Sequence, residues 1–89
     1  MKGDLNINMK IKLYGAEWCV FCVKAKDFLE KNNIDFEYIN VQDNHEAGKY
    51  VLEKTKQTGI PVIEIIDDKK KEFIIGFDEE ALRKRLKIK

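Results

Sequence analysis

Lys10-Ile11-Lys12-Leu13-Tyr14-Gly15-Ala16-Glu17-Trp18-Cys19-Val20-Phe21-Cys22-Val23-Lys24-Ala25-Lys26-Asp27-Phe28-Leu29 is the stretch on which the fold turns. Towards its N-terminal side, apolar Ile7, Met9, Ile11 and Leu13 alternate with Asn8, Lys10, Lys12 and Tyr14, the period-two pattern of a strand. Gly15 breaks the alternation. Beyond it Phe21, Cys22, Ala25, Phe28 and Leu29 recur at the three-and-four spacing of one helix face, with Lys24, Lys26, Asp27, Glu30 and Lys31 opposite. A helix is predicted from about Cys19 to Lys31, so Cys19 and Cys22 fall where a strand hands over to a helix.

Working outward, Asn32-Asn33 stops this helix and Phe36 to Val41 reads as a short strand. Asp43 or Asn44 can cap a second helix from about His45 to Lys56, with Ala47, Tyr50, Val51 and Leu52 inward and Thr58-Gly59 at its close. Pro61 opens the apolar run Val62-Ile63-Glu64-Ile65-Ile66, and the polar Asp67 to Lys71 turns the chain into Glu72-Phe73-Ile74-Ile75, a hairpin. Gly76 ends it. Acidic Asp78, Glu79 and Glu80 followed by basic Arg83, Lys84, Arg85 and Lys87 match the dipole of a last helix burying Ala81, Leu82, Leu86 and Ile88. The order is β-α-β-α-β-β-α, an α/β fold with a four-stranded mixed sheet covered by three helices. Residues 1–6 are expected to form a loose tail of a single domain spanning 1–89.

At 89 residues the chain has room for one core and buries only about 60 to 65 per cent of its unfolded surface. Its two cysteines are too few to staple it. With 17 Lys plus Arg against 16 Asp plus Glu it lacks the electrostatic footprint of a nucleic-acid binder, and 44% hydrophobic residues argue against disorder. No run has the length of a membrane span or the apolar stretch of a signal peptide. A cytoplasmic, reducing compartment is expected, where a close cysteine pair is more often chemical than structural.

The position of the pair gives the chemistry. A cysteine at a helix N-terminus meets unpaired N–H groups and the positive end of the dipole, which favour its thiolate, so Cys19 is the expected nucleophile. Cys22, one turn in on the buried face, is placed to attack a mixed disulfide on Cys19 and is the expected resolving thiol. Lys24 and Lys26 add positive potential and Glu17 subtracts some, leaving the net charge effect open. Competing readings are a zinc site, for which only His45 could join the cysteines, a small-loop disulfide worth about 2 kcal/mol, and two buried thiols without a role. From the residues alone the Ile60-Pro61 bond is expected to be trans.

With the CxxC at the strand-helix junction, Gly59-Ile60-Pro61-Val62 before a hairpin and Gly76-Phe77-Asp78 before the last helix, the chain resembles the glutaredoxins from about Met9 to Leu86. The resemblance implies the thioredoxin-like fold, a cis-proline at Pro61, and substrate pairing with the backbone of Ile60. It also implies a substrate-contacting set of Trp18, Phe21, Ile60, Pro61, Gly76, Phe77 and Asp78 around catalytic Cys19 and Cys22. Glutathione-using members carry a Lys three residues before the first cysteine, Pro and Tyr inside the CxxC, Thr-Val before the cis-proline and Gly-Gly before the last helix. Here Ala16, Val20, Phe21, Gly59-Ile60 and Gly76-Phe77 stand in those positions. Glutathione is therefore expected to bind weakly, as a co-substrate, with no cofactor or metal held.

The Cys-Val start of the CxxC and the Gly-Phe before the last helix are closer to the NrdH-redoxins, glutaredoxin-like proteins reduced by thioredoxin reductase that pass electrons to ribonucleotide reductase. Trp18 before Cys19 is thioredoxin-like. The expected activity is reduction of protein disulfides by a monomer, regenerated by thioredoxin reductase or glutathione, with Trp18 and Phe77 bordering a hydrophobic docking surface. The alternative is a metal or iron-sulfur cluster module using the same cysteines, against which the second cysteine argues. Lys10 and Lys12 give a polar side to a strand expected to be central, so Lys12 is expected to snorkel past the second helix.

Overall fold

The structure is a computed structural model that describes residues 9–57, 59–67 and 70–87. The alternation before the cysteines becomes strand β1, Lys10–Gly15, in which Ile11 and Leu13 are buried on one face and Tyr14 on the other. Gly15 is the last strand residue rather than a break, since its carbonyl still accepts from Val41 N–H at 3.0 Å. Helix α1, Val20–Lys31, follows, capped by Cys19 and closed at Asn32, with Asn33 at φ 57° turning the chain back. Strand β2 is Glu37–Asn40. Asn44 caps helix α2, His45–Thr55, by accepting Ala47 N–H at 3.0 Å. Lys56, in the left-handed conformation, ends α2 before the expected Thr58-Gly59 stop.

Strands β3, Val62–Ile66, and β4, Lys71–Ile75, form the hairpin, and helix α3, Glu79–Leu86, closes the described chain under an Asp78 cap. The tail expected over 1–6, Ile7 and Asn8 at the start of the first strand, Thr58, and Ile88 of the last helix lie outside the described residues.

The sheet order is β2-β1-β3-β4, with β1 parallel to β2 and antiparallel to β3, which is antiparallel to β4. The mixed α/β architecture read from the sequence is the one found. Period-two alternation sorts the strands into two faces. One face presents Ile11, Leu13, Ile63, Ile65 and Ile74 to Ala25, Phe28 and Leu29 of α1 and to Leu82 and Leu86 of α3. The other presents Tyr14 and Val62 to Val51 of α2, with Ile39, Ala47, Tyr50 and Phe73 packed around them.

Two inward assignments are corrected. Phe21, expected on the buried face of α1, is 58% exposed, because Cys22, Ala25, Phe28 and Leu29 alone fill that face. Leu52 of α2 is exposed because Val51 takes the inward position. Lys12 is half-buried on the α2 face, opposite Glu37 of β2 and Glu64 of β3. Among the described residues no helix is long and apolar enough to cross a membrane.

Candidate active site

Between β1 and α1 the chain makes one tight turn, Cys19 N–H donating to Ala16 C=O at 3.2 Å, and that turn fixes where the first cysteine stands. Cys19 is the N-cap itself, with extended backbone (φ −87°, ψ 115°), and its Sγ accepts the N–H of Cys22 at 3.2 Å. A cap position is usually filled by Ser, Thr, Asp or Asn, whose side-chain oxygen takes an orphan N–H of the first turn; here a sulfur does so. Val23 N–H closes the first helical turn on Cys19 C=O at 3.1 Å.

The two thiols are unbonded and differ in access. Cys19 reaches the surface at 9% exposure and Cys22 is sealed at 0%. Burial, first of all, and then its hydrogen bond with Cys19 push the Cys22 thiol up to about 12, against an opposing pull from the Ala16 backbone N–H. Such a group stays protonated at neutral pH. Gly15 makes this packing possible, since a Cβ there would stand 2.8 Å from Cys22 Sγ and 3.0 Å from its Cβ.

The second loop meets the first at this point. The Ile60-Pro61 peptide bond is cis, and Ile60 packs on the small cluster of Ala16, Cys19 and Cys22. Pro61 is buried, and its carbonyl accepts the N–H of Gly76 at 2.8 Å, tying this loop to the segment before α3. Gly76 has φ 82°, a conformation that side chains other than glycine's rarely take. Phe77 is half-buried, its ring edge-on to Phe28 at 5.8 Å, so it belongs in part to the core. Asp78 accepts Ala81 N–H at 3.1 Å as the cap of α3. The structure therefore gathers Cys19, Cys22 and Ile60 in one cluster and joins Pro61 to Gly76 beside it. Trp18 is 66% exposed, and Val20 and Phe21 are exposed after it, with the Lys24 ammonium 5.6 Å above the Phe21 ring.

Some features escaped the sequence reading. Tyr38 of β2 reaches the same spot, its Cε1 3.6 Å from where a Gly15 Cβ would be. Glu64, inside the apolar run of β3, is 1% exposed and accepts the Tyr14 hydroxyl at 2.6 Å and the Tyr50 hydroxyl at 2.5 Å, with Lys71 Nζ at 3.6 Å. Its signal was available: a single charge between Ile63 and Ile65 must find partners if the strand is buried. Among the described residues no group of three or more His, Cys, Asp or Glu stands together to hold a metal ion.

Comparison with known proteins agrees with this geometry. The glutaredoxin family model matches residues 11–70. A glutaredoxin-like 8.6 kDa protein of the rubredoxin operon of Clostridium pasteurianum is 35% identical over 74 residues, 83% of this chain and 93% of that protein. The crystal structure of methanoredoxin from Methanosarcina acetivorans superposes with TM-score 0.74 at 32% identity, covering 86% of this chain and 83% of its own. NrdH-redoxin from Escherichia coli superposes with TM-score 0.70 at 29% identity, covering 84% and 92%. A CxxC pair at the head of α1, a cis-proline loop packed against it and a family match across residues 11–70 lead to one conclusion: the chain belongs to the glutaredoxin family, with its thioredoxin-like fold.

Proposed function

We propose that this protein is a dithiol-disulfide oxidoreductase that reduces protein disulfides through Cys19 and Cys22. The observation that carries the reading is the asymmetry of the pair: Cys19, 9% exposed, caps α1 with its sulfur accepting a helix N–H, and Cys22, one turn in, is sealed at 0%. Cys19, as thiolate, attacks a substrate disulfide, forming a mixed disulfide and releasing one substrate thiol. Cys22 then gives up its proton and attacks Cys19 Sγ. A Cys19–Cys22 disulfide forms, the second substrate thiol leaves, and the substrate gains the two electrons that the dithiol loses. The backbone of Ile60, beside the pair and held by the Pro61–Gly76 hydrogen bond, is suited to pair with an extended substrate segment.

The reductant follows from what is missing. Ala16, Val20 and Phe21 offer none of the polar side chains that would grip glutathione carboxylates, and the Asp78 carboxylate is engaged as a cap. Glutathione is a weak co-substrate in this reading, and a thioredoxin reductase is the favoured electron source. The likeness to E. coli NrdH-redoxin, described as having a thioredoxin-like activity profile, supports this. Docking of a protein substrate rests on exposed Trp18, Val20 and Phe21 more than on Phe77, whose ring is partly spent on Phe28.

Cys19→Ser is expected to abolish turnover and Cys22→Ser to trap a mixed disulfide visible by mass spectrometry; an active Cys19→Ser protein would refute the assignment. NADPH consumption with thioredoxin reductase, compared with glutathione plus glutathione reductase, tests the electron source.

A further inference from the structure

The exchange chemistry explains why Cys22 must face Cys19, and it leaves open what closes off the other side of that sulfur. Between α1 and the edge strand β2 runs an open groove of about 540 Å³, lined among others by Lys26, Glu30, Ile34, Phe36 and Tyr38. Of these, Tyr38 also meets Cys22 beside Gly15: a Cβ placed on Gly15 would stand 3.6 Å from Tyr38 Cε1 and 2.8 Å from Cys22 Sγ. Tyr38 thus has one side in the groove and one side towards the thiol. Its ring is held from above by the Lys26 ammonium, 5.7 Å from the centroid, within the range of a cation–π contact. The phenol is shifted upward by burial and then by the proximity of Cys22, Glu17 and Cys19, which agrees with that placement.

From this arrangement we infer that Tyr38 is a positioning residue for the second half of the exchange: its ring, under the Lys26 ammonium, is the wall that keeps solvent and thiol reagents in the α1/β2 groove from reaching Cys22. The wall reserves the buried sulfur for one partner, Cys19 Sγ. Reagents and foreign disulfides then meet the protein only through Cys19. The inference rests on the reading of Cys22 as the resolving thiol, but its test needs no turnover.

In a Cys19→Ser background the only remaining thiol is Cys22. Its alkylation by iodoacetamide at pH 8.5 is expected to rise about tenfold or more when Tyr38→Ala is added, because access and ionisation of the thiol both increase. Tyr38→Phe, which keeps the ring, is expected to stay within about twofold of the background, and Tyr38→Leu, a smaller apolar plug that guards against loss of fold, to rise severalfold. Amide hydrogen exchange of α1 is read on the same samples. An unchanged rate in Tyr38→Ala and Tyr38→Leu, a rise in Tyr38→Phe equal to that in Tyr38→Ala, or a rise matched by lost protection throughout α1 would each overturn the inference. Failure of Cys22→Ser to trap a mixed disulfide would instead count against the exchange reading and leave these alkylation rates to stand on their own.

Discussion

The two faces of the sheet are held by different physics. On the α1/α3 face ten buried apolar side chains interlock, and the helices dock by exclusion of water, a force without direction that tolerates many sequences. On the α2 face, among the described residues, only Tyr14, Val51 and Val62 are buried apolar residues, and the centre is a carboxylate. Glu64 draws in a phenol from β1, a phenol from α2 and an ammonium from β4, so that three elements converge on the charge of a fourth. Tyr50 is the hub, within 6.2 Å of the Tyr14 ring and 6.3 Å of the Phe73 ring, centroid to centroid, with Lys54 and Lys71 over its faces. A helix with so little apolar area to bury must be placed by directed bonds. The difference teaches that the Cys19-Cys22 pair is mounted on the generic face, and the specific face orients α2, whose end leads into the Ile60-Pro61 loop.

If the first face is held by packing, a cavity there is the largest single insult. Leu29→Ala, at 0% exposure among Leu13, Phe28 and Leu82, is expected to cost about 3 kcal/mol, read as a drop in the urea midpoint at constant slope. A loss below about 1 kcal/mol would mean that the core collapses into the gap and that this face is looser than its packing implies. On the second face Tyr14→Phe removes one of two short donors to a buried carboxylate and is expected to cost about 1 to 3 kcal/mol. Tyr50→Phe should cost less, since the half-buried Tyr50 site leaves the Lys71 ammonium beside Glu64 Oε2. Equal effects of the two changes would contradict the view that burial, rather than bond count, sets the penalty.

The first face was legible in the sequence because water exclusion writes itself as periodicity. Ile11 and Leu13 at spacing two, and Cys22, Ala25, Phe28 and Leu29 at three and four, needed no partner to be recognised. The junction of Cys19 and Cys22 was legible for the same reason, and so was the asymmetry of the thiols: a cap position and a position one turn inward are local facts of one helix. The second face was not, because its bonds join Tyr14, Tyr50, Glu64 and Lys71, residues up to 57 positions apart whose alignment exists only after the sheet has formed. Glu64 read only as one member of the apolar run Val62 to Ile66. Tyr38 read as part of a short strand, and nothing local reveals that a parallel register sets it near Gly15. Phe21 shows the converse failure: it satisfies the helical period, but one more residue than the face can cover was counted.

A smaller effect separates the two faces by pH. Each buries an acid in its neutral form: Cys22 on the α1 face, pushed from 9.0 to about 12 by burial, and Tyr14 on the α2 face, moved well above its ordinary 10.0 by burial and the Glu64 carboxylate. For a group raised in the folded state, the unfolded chain releases its proton first as pH rises, so the native state binds more protons and stability falls with pH. The stabilisation is fully present below the unfolded pKa and drains away above it. In the reduced protein the Cys22 contribution should therefore begin to drain above about pH 9 and the Tyr14 contribution above about pH 10, each by no more than about 1 kcal/mol per pH unit at first. Urea midpoints under reducing conditions at pH 8, 9.5 and 10.5 read this directly. Cys22→Ser should flatten both intervals, the second more than the first, while Tyr14→Phe should flatten the second and leave the first nearly unchanged. Parallel curves for wild type and both variants would show that neither face holds its acid against ionisation, and the contrast between a sealed thiol and a charge-braced phenol would be lost.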